Sequence, residues 1–346
     1  MSEVALLALA SANPPHLLTQ AAAKEGARRL FGGRLDELER RLRLFDRCGI
    51  ERRRIALPLD AYLEPAGFGR RNALFLASAL ALLEDATRRA LAAAGLEAEA
   101  IDAVVTVCST GIATPSLEAH LAERLGLRAD VLRAPLFGLG CAGGVQGLAR
   151  AADFARARPG SRVLLLVVEL CSLTLRPSDA SLANLVACAL FGDGAAVAIL
   201  SSAGTGPRIG PTGEHRFRGT LEVMGWRVED DGLGVLFAPT VPEIARSRLG
   251  GALAAFLERQ GLAPADVDRW LCHPGGAKVL SALEEVLPAP AKGLEHARAV
   301  LAEFGNMSAP TVLFVLDRAL AEPDWKRALL LALGPGFTAA FAIVER

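Results

Sequence analysis

Three residue types in this chain could do chemistry together. Cys141 lies in Phe137-Gly-Leu-Gly-Cys141-Ala-Gly-Gly-Val-Gln-Gly-Leu. The glycines permit a tight turn, and residues 142–156 read as a helix that starts at the cysteine. A thiol there sits at the positive end of the helix dipole, which predicts a lowered pKa. The thiolate is the nucleophile that thioester exchange requires. A lone cysteine in such a turn can equally be a packing residue, so its partners decide. His273 lies in Leu271-Cys-His273-Pro-Gly-Gly, directly after an apolar run. An imidazole held there could pair with a thiol and hydrogen-bond a thioester carbonyl, or it could simply be a turn histidine. Asn306 lies in Phe304-Gly-Asn306-Met-Ser-Ala-Pro-Thr, ahead of a helix over 310–320. A neutral amide donor stabilises an enolate oxygen where a carboxylate would repel it, although asparagine is also a common helix cap.

These residues are far apart in sequence, and an internal duplication suggests how they meet. Gly95 and Asp102 precede the apolar run 103–107, as Gly261 and Asp268 precede Arg269-Trp-Leu-Cys-His273. A nearly equal spacing relates Gly140-Cys141 to Gly305-Asn306, and Val163-Leu-Leu-Leu to Ala328-Leu-Leu-Leu. Each half reads helix, strand, helix, glycine turn, helix, strand, glycine turn, strand. The uninterrupted apolar runs at 103–107, 163–168 and 328–333 predict strands covered by helices on both faces. The expected class is therefore α/β, two fused halves packed as an α-β-α-β-α sandwich, with residues 1–205 forming the first half and 206–346 the second. Equivalent turns of two such halves face a common axis, which would bring Cys141, His273 and Asn306 together.

Composition agrees and excludes several classes. The chain has 346 residues, 38 Lys+Arg against 38 Asp+Glu, and 52% hydrophobic residues. A zero net charge argues against a generally basic nucleic-acid binder and against an acidic disordered chain. Only 22% of residues are charged, so much of the surface must be buried in a core or an interface. Six scattered cysteines, none in a CxxC pair, give neither a disulfide framework nor a zinc site, and a reducing cytoplasm is the simplest expectation. The run Val4 to Ala12 carries no positive leader and reads as a first buried strand. The uncharged stretch from Ala328 to Val344 is interrupted by Gly334-Pro-Gly336 and is too short for a membrane span. One basic cluster stands out: residues 40–54 hold seven arginines and two acids.

The motifs Gly140-Cys141-Ala, His273-Pro-Gly-Gly, Gly305-Asn-Met-Ser-Ala-Pro-Thr and Gly334-Pro-Gly, in this order over the whole chain, resemble a type III polyketide synthase. This is the chalcone-synthase-like branch of the thiolase fold. The stretch Leu221-Glu-Val-Met-Gly-Trp226 to Gly234 is more similar to bacterial members that make alkylresorcinols and alkylpyrones. The resemblance implies that Cys141 carries the starter and growing chain, while His273 and Asn306 polarise the malonyl thioester, promote decarboxylation and hold the enolate. Phe191 matches a gatekeeper phenylalanine between tunnel and cavity. Val235 stands where the family has a second gatekeeper phenylalanine, and Leu333, beside Gly334, where it has another. Both departures imply an aliphatic lining rather than selection of an aromatic starter. Ser109, Thr114, Thr174 and Ser308 match positions that shape the cavity. Arg40, Arg43 and Lys278 fall at positions resembling contacts to the phosphates of coenzyme A.

The resemblance thus implies repeated decarboxylative Claisen condensation of malonyl-CoA onto a medium- or long-chain acyl-CoA, closing to an alkylpyrone or alkylresorcinol. It implies a homodimer with no metal, no redox cofactor, no nucleic-acid partner and no membrane span. Two alternatives stand beside it. One is a ketoacyl synthase III-like enzyme that condenses once, with an acyl-carrier protein as a possible donor. The other is a non-catalytic scaffold of thiolase fold.

Overall fold

The computed structural model describes residues 3–64, 66–289 and 292–346. In chain order the strands are β1 (Val4–Ala12), β2 (His16–Thr19), β3 (Arg52–Ile55), β4 (Ala103–Cys108), β5 (Leu132–Phe137), β6 (Arg162–Leu170), β7 (Asp193–Ser201), β8 (Arg208–Arg216), β9 (Met224–Glu229), β10 (Gly232–Phe237), β11 (Arg269–Cys272), β12 (Arg327–Gly334) and β13 (Thr338–Glu345). The helices are α1 (Gln20–Phe31), α2 (Leu38–Arg41), α3 (Phe68–Ala94), α4 (Leu117–Leu125), α5 (Gly143–Ala157), α6 (Leu182–Leu190), α7 (Val241–Ile244), α8 (Gly250–Arg259), α9 (Ala277–Val286), α10 (Leu294–Phe304) and α11 (Thr311–Leu320).

The continuous apolar runs are buried on both faces, as their lack of alternation requires. In β6, Val163, Leu165 and Val167 enter one core cluster, and Leu164, Leu166 and Val168 enter another. The second cluster lies under α3 and α4. The first contains the inward faces of α5 and α11 and reaches across to β12 and β13. Helix α8 closes the far side, where Phe256 stacks on Phe341 with centroids 5.0 Å apart. The layered α-β-α-β-α sandwich is thus in place, with α5 and α11 as its middle layer.

The sheet also has a feature that the duplication does not predict. Its order is β11-β12-β13-β8-β1-β7-β6-β4-β5, without interruption. Strand β8 pairs with β13 from Thr338↔Arg216 to Glu345↔Arg208, and with β1 at Val4↔Ile209 and Ala5↔Arg208. The two halves therefore share one sheet. Strands β9 and β10 form a separate hairpin.

The glycines around Cys141 serve two different ends. Gly138 (φ 85°) and Gly140 (φ 48°) occupy left-handed backbone, as a strained turn requires. Gly144 lies inside α5 and is there for close approach. A Cβ on it would fall 2.3 Å from the Ala309 carbonyl oxygen and 2.7 Å from Val312 Cγ1. Gly144→Ala should therefore cost about 1–3 kcal/mol of stability, because backbone cannot yield as a side chain can. Gly69→Ala, in open space in α3, should be neutral or slightly stabilising. Thermal or urea unfolding of both variants checks this, and a Gly144→Ala protein as stable as the parent would refute the close packing.

Candidate active site

The nucleophile turn is locked by its counterpart from the second half. Cys141 sits in the single helical turn Gly140–Ala142 that feeds α5. A Cβ on Gly140 would lie 2.6 Å from Pro335 Cδ, and one on Gly334 would lie 2.6 Å from the Ala142 nitrogen. The two glycine loops thus interlock, and Gly334 is required where it stands.

The expectation of a lowered thiol pKa is corrected. Burial pushes the Cys141 thiol up to about 11, and the buried Glu169 adds to the rise, against hydrogen bonding from Ser308 and Asn306. A helix dipole shifts a group by on the order of one pKa unit. That is too little to offset desolvation here, so the resting group is a neutral thiol.

Asn306 joins the other two candidates. Its backbone N–H donates to the Leu190 carbonyl (2.8 Å), and its carbonyl accepts from Gly192 (3.0 Å), tying it to the end of α6. The Ser308 N–H donates to Asn306 Oδ1 at 2.8 Å, which fixes the amide orientation. That oxygen lies 3.9 Å from Cys141 Sγ. The amide nitrogen donates to the Gly275 carbonyl at 3.3 Å, in the loop that carries His273. Only one amide hydrogen is engaged there, which leaves a second for a ligand. His273 is held by its own N–H, which donates to the Leu331 carbonyl at 2.7 Å. Both of its ring nitrogens are buried without a hydrogen-bond partner. Burial drives the imidazole down to about 3, so the ring is neutral. Two buried, unsatisfied nitrogens two residues from the Gly275 carbonyl that Asn306 holds are a prepared place for a polar ligand.

Two cavities meet here. The one at Cys141 is lined by Phe191, Trp226, Val235, Phe237, Ser308 and Pro335 among others. Phe191 meets Trp226 edge-on at 6.1 Å. A larger chamber shares Phe191, Val235 and Cys171 with it and includes Thr174. The other matched positions are distributed differently. Ser109 is buried beneath the turn. Thr114 is exposed on the loop before α4 and does not line either of these two cavities. Leu333 packs in the core on β12, where it pairs with Ala339. Arg40, Arg43 and Lys278 are all exposed. Arg40 pairs with Glu37, whereas Arg43 makes no ion pair among the described residues. The basic segment reaches the first turn of α9, since a Cβ on Gly49 would sit 3.4 Å from Ala277 Cβ.

Sequence reasoning missed Glu169. It is fully buried at the end of β6, where burial raises its carboxyl to about 7. It accepts hydrogen bonds from Ser109 N–H (3.0 Å), Ser109 Oγ (2.7 Å) and Thr110 Oγ1 (2.6 Å). Ser109 Oγ in turn accepts from Gly140 N–H at 3.1 Å, which links the acid to the nucleophile turn. The available signal was a single carboxylate ending an otherwise apolar run, Val163 to Val168.

A layered sandwich in which a buried thiol meets an amide, and that amide holds the loop carrying a buried imidazole, has the thiolase-like condensing-enzyme architecture. Comparison with known proteins narrows this. The family model for chalcone and stilbene synthases, N-terminal domain, matches residues 2–204, and that for the C-terminal domain matches 215–345. The chain belongs to the chalcone and stilbene synthase family, the type III polyketide synthases, acyltransferases that catalyse Claisen condensations. It is 44% identical over 314 residues to a 1,3,6,8-tetrahydroxynaphthalene synthase of Streptomyces peucetius, covering 88% of this chain and 82% of that one. It is 29% identical to the α-pyrone synthesis polyketide synthase-like Pks18 of Mycobacterium tuberculosis, over 98% and 91% of the two chains. The crystal structure of 1,3,6,8-tetrahydroxynaphthalene synthase from Streptomyces coelicolor superposes with a TM-score of 0.93 at 32% identity, covering 99% of each chain. Family members use coenzyme A thioesters without a further cofactor. No helix among the described residues is long and apolar enough to cross a membrane.

Proposed function

We propose that this enzyme loads a medium- or long-chain fatty acyl group from its coenzyme A thioester onto Cys141 and extends it with malonyl-CoA. The observation that carries the reading is the apolar chamber lined by Leu18, Ala27, Leu30, Ile55 and Leu59, which shares Phe191, Val235 and Cys171 with the nucleophile's cavity. A gatekeeper phenylalanine at 235 would narrow the shared region, and valine leaves it wide.

The chemistry follows from the protonation states. Thiol and imidazole rest neutral, so His273 accepts the Cys141 proton as sulfur attacks the starter carbonyl, and coenzyme A leaves as its thiol after taking that proton. The malonyl thioester carbonyl then lies between the His273 ring and the free amide hydrogen of Asn306. Its carboxylate departs as carbon dioxide, and the electron pair is held as an enolate that these neutral donors stabilise. The enolate carbon bonds to the acyl carbon, and the Cys141 sulfur is released for the next round. Repetition and ring closure give an alkylpyrone or alkylresorcinol. Residues 1–205 supply the thiol and 206–346 the imidazole and amide. Arg40, Arg43 and Lys278 hold coenzyme A phosphates at the entrance; all three are exposed, Lys278 lies in α9, and Gly49 of the basic segment lies against that helix.

A homodimer belongs to the same reading. Edge strand β5 leaves Phe137 60% exposed, and Ile112 on the nearby loop is 48% exposed, so this side of the sheet presents apolar surface. A second product reading rests on a different observation, the 44% identity to a tetrahydroxynaphthalene synthase. In it the chain is built from malonyl units alone and folds to a fused aromatic ring within the chamber.

The deciding experiment incubates the enzyme with malonyl-CoA alone and with a ladder of saturated acyl-CoAs, with products read by mass spectrometry. Alkylated pyrones or resorcinols that track starter length are expected. A naphthalene formed from malonyl-CoA alone, with no starter incorporated, would replace the first reading by the second. A single condensation without cyclisation would point to the ketoacyl synthase alternative.

A further inference from the structure

Strands β9 and β10 pair only with each other, and no backbone hydrogen bond joins either strand to the main sheet or to a helix among the described residues. Yet this hairpin supplies Trp226, Val235 and Phe237 to the nucleophile's cavity, and Val235 to the apolar chamber as well. Something other than a sheet must hold it in place.

Its tip does so through one acid. Asp231 Oδ1 lies 2.5 Å from Arg176 Nε, its other oxygen accepts from the Ser178 hydroxyl, and its carbonyl accepts from Arg71 Nη2. Arg71 is buried in the first turn of α3, and its Nη1 donates to the Ala66 carbonyl at 2.9 Å. Arg176 and Ser178 belong to the segment that leads into α6, the helix capped by Phe191. That segment is itself fixed. Asn184 Nδ2 donates to the carbonyls of Arg176 (2.9 Å) and Asp179 (2.7 Å), and Arg34 donates to those of Pro177 (2.7 Å) and Ser178 (2.8 Å). The Arg176 side chain is only 16% exposed, so its pairing with Asp231 is partly sheltered from water, where an ion pair outweighs a surface one. Strand β10 is shaped around the two guanidinium groups. A Cβ on Gly232 would fall 2.7 Å from Arg71 Nη2, and one on Gly234 would fall 2.9 Å from Arg176 Nη1. Val235, next in the alternation, faces the cavities instead.

We propose that Asp231 is a specificity-determining positioning residue: latched to Arg176, Ser178 and Arg71, it fixes Trp226 and Val235 against Phe191 and so sets which starter chains pass from the nucleophile's cavity into the chamber. This rests on the reading that the chamber holds the starter chain. The latch touches neither substrate nor reacting atoms, so it acts on selection and not on the chemistry at Cys141. Without it the hairpin is held by its own ladder and by packing, and the wall it forms yields to chains of unsuited length.

The test measures kcat/KM for malonyl-CoA extension of a ladder of saturated acyl-CoAs in the parent, Asp231→Ala, Arg176→Ala and the double variant, with melting temperatures to establish that each is folded. In either single variant the ratio between the best and the poorest accepted starter should fall by roughly threefold or more, through KM more than kcat. The double variant should fall no further than the singles, because both remove one contact. Asp231→Asn, which keeps the shape and loses the charge, should shift the ratio the same way and serves if the alanine variants do not fold. Val228→Ser, on the same hairpin but 81% exposed, should leave the profile unchanged. An unchanged profile in folded Asp231 and Arg176 variants would overturn the latch and leave the chamber reading intact. A loss equal for every starter would reduce the pair to a stabilising contact and refute the proposal as well. A parent that takes no acyl starter would overturn both readings.

Discussion

Cys141→Ala should abolish polyketide formation, with a loss of at least about a thousandfold in turnover, because covalent catalysis has no substitute in this site. The fold should be untouched: Cys141 is 9% exposed and its side chain is small. The informative companion measurement is single-turnover acylation with a radiolabelled acyl-CoA, read on denatured protein. The parent should retain label and the variant none. Decarboxylation of malonyl-CoA need not vanish with it, since His273 and Asn306 remain. Label retained by Cys141→Ala would move the nucleophile elsewhere, and Cys171, which lines the same cavity, would be the next thiol to examine.

Asn306→Asp is the second large effect. The two side chains have the same shape, so packing is preserved and the change is electrostatic. One oxygen would still accept from Ser308 N–H. The other would replace the nitrogen that donates to the Gly275 carbonyl, setting two acceptors 3.3 Å apart. It would also face the carbonyl on which enolate charge develops. Losing one such donor typically costs on the order of a hundred- to a thousandfold in kcat, and replacing it by an anion should reach the upper end. The loss should fall on malonyl-CoA decarboxylation and spare acylation of Cys141, because the amide oxygen near the thiol is kept. Assaying the two half-reactions separately checks this, and equal damage to both would show that Asn306 acts on the thiol.

Much of this geometry was legible because it is encoded in local, repeated patterns. The uninterrupted apolar runs could only be doubly covered strands, and the duplicated glycine turns placed Cys141 and Asn306 at equivalent points. What was not legible depends on partners distant in sequence. Strand β5 contains Pro135 and alternates half-buried and exposed residues, so it reads as loop. It is a strand because an edge position asks for pairing on one side only, here with β4. Strand β8, with Gly210, Pro211 and Gly213, is extended only because β1 and β13 flank it. The thiol's pKa was misjudged because the helix dipole is visible in a sequence and burial is not. Arg53 was counted within a surface cluster, although its neighbours in β3 are more exposed and it points inward.

The bridging strand has a consequence for how the molecule is built. Because β8 pairs with both β1 and β13, neither half can complete its sheet alone. The outer edge of β1 waits for residues that follow the first half by sequence, and β8 waits for β13, more than a hundred residues later. Ladders that close over such separations form slowly and together. The Gly334–Pro335 loop that locks the Cys141 turn is carried between the last two strands of the sheet in chain order. During synthesis the reactive thiol is therefore assembled only when the hydrogen-bonded seam closes. A chain that stalls before that point has a formed first half and an unpaired β1 edge, an aggregation-prone intermediate without activity.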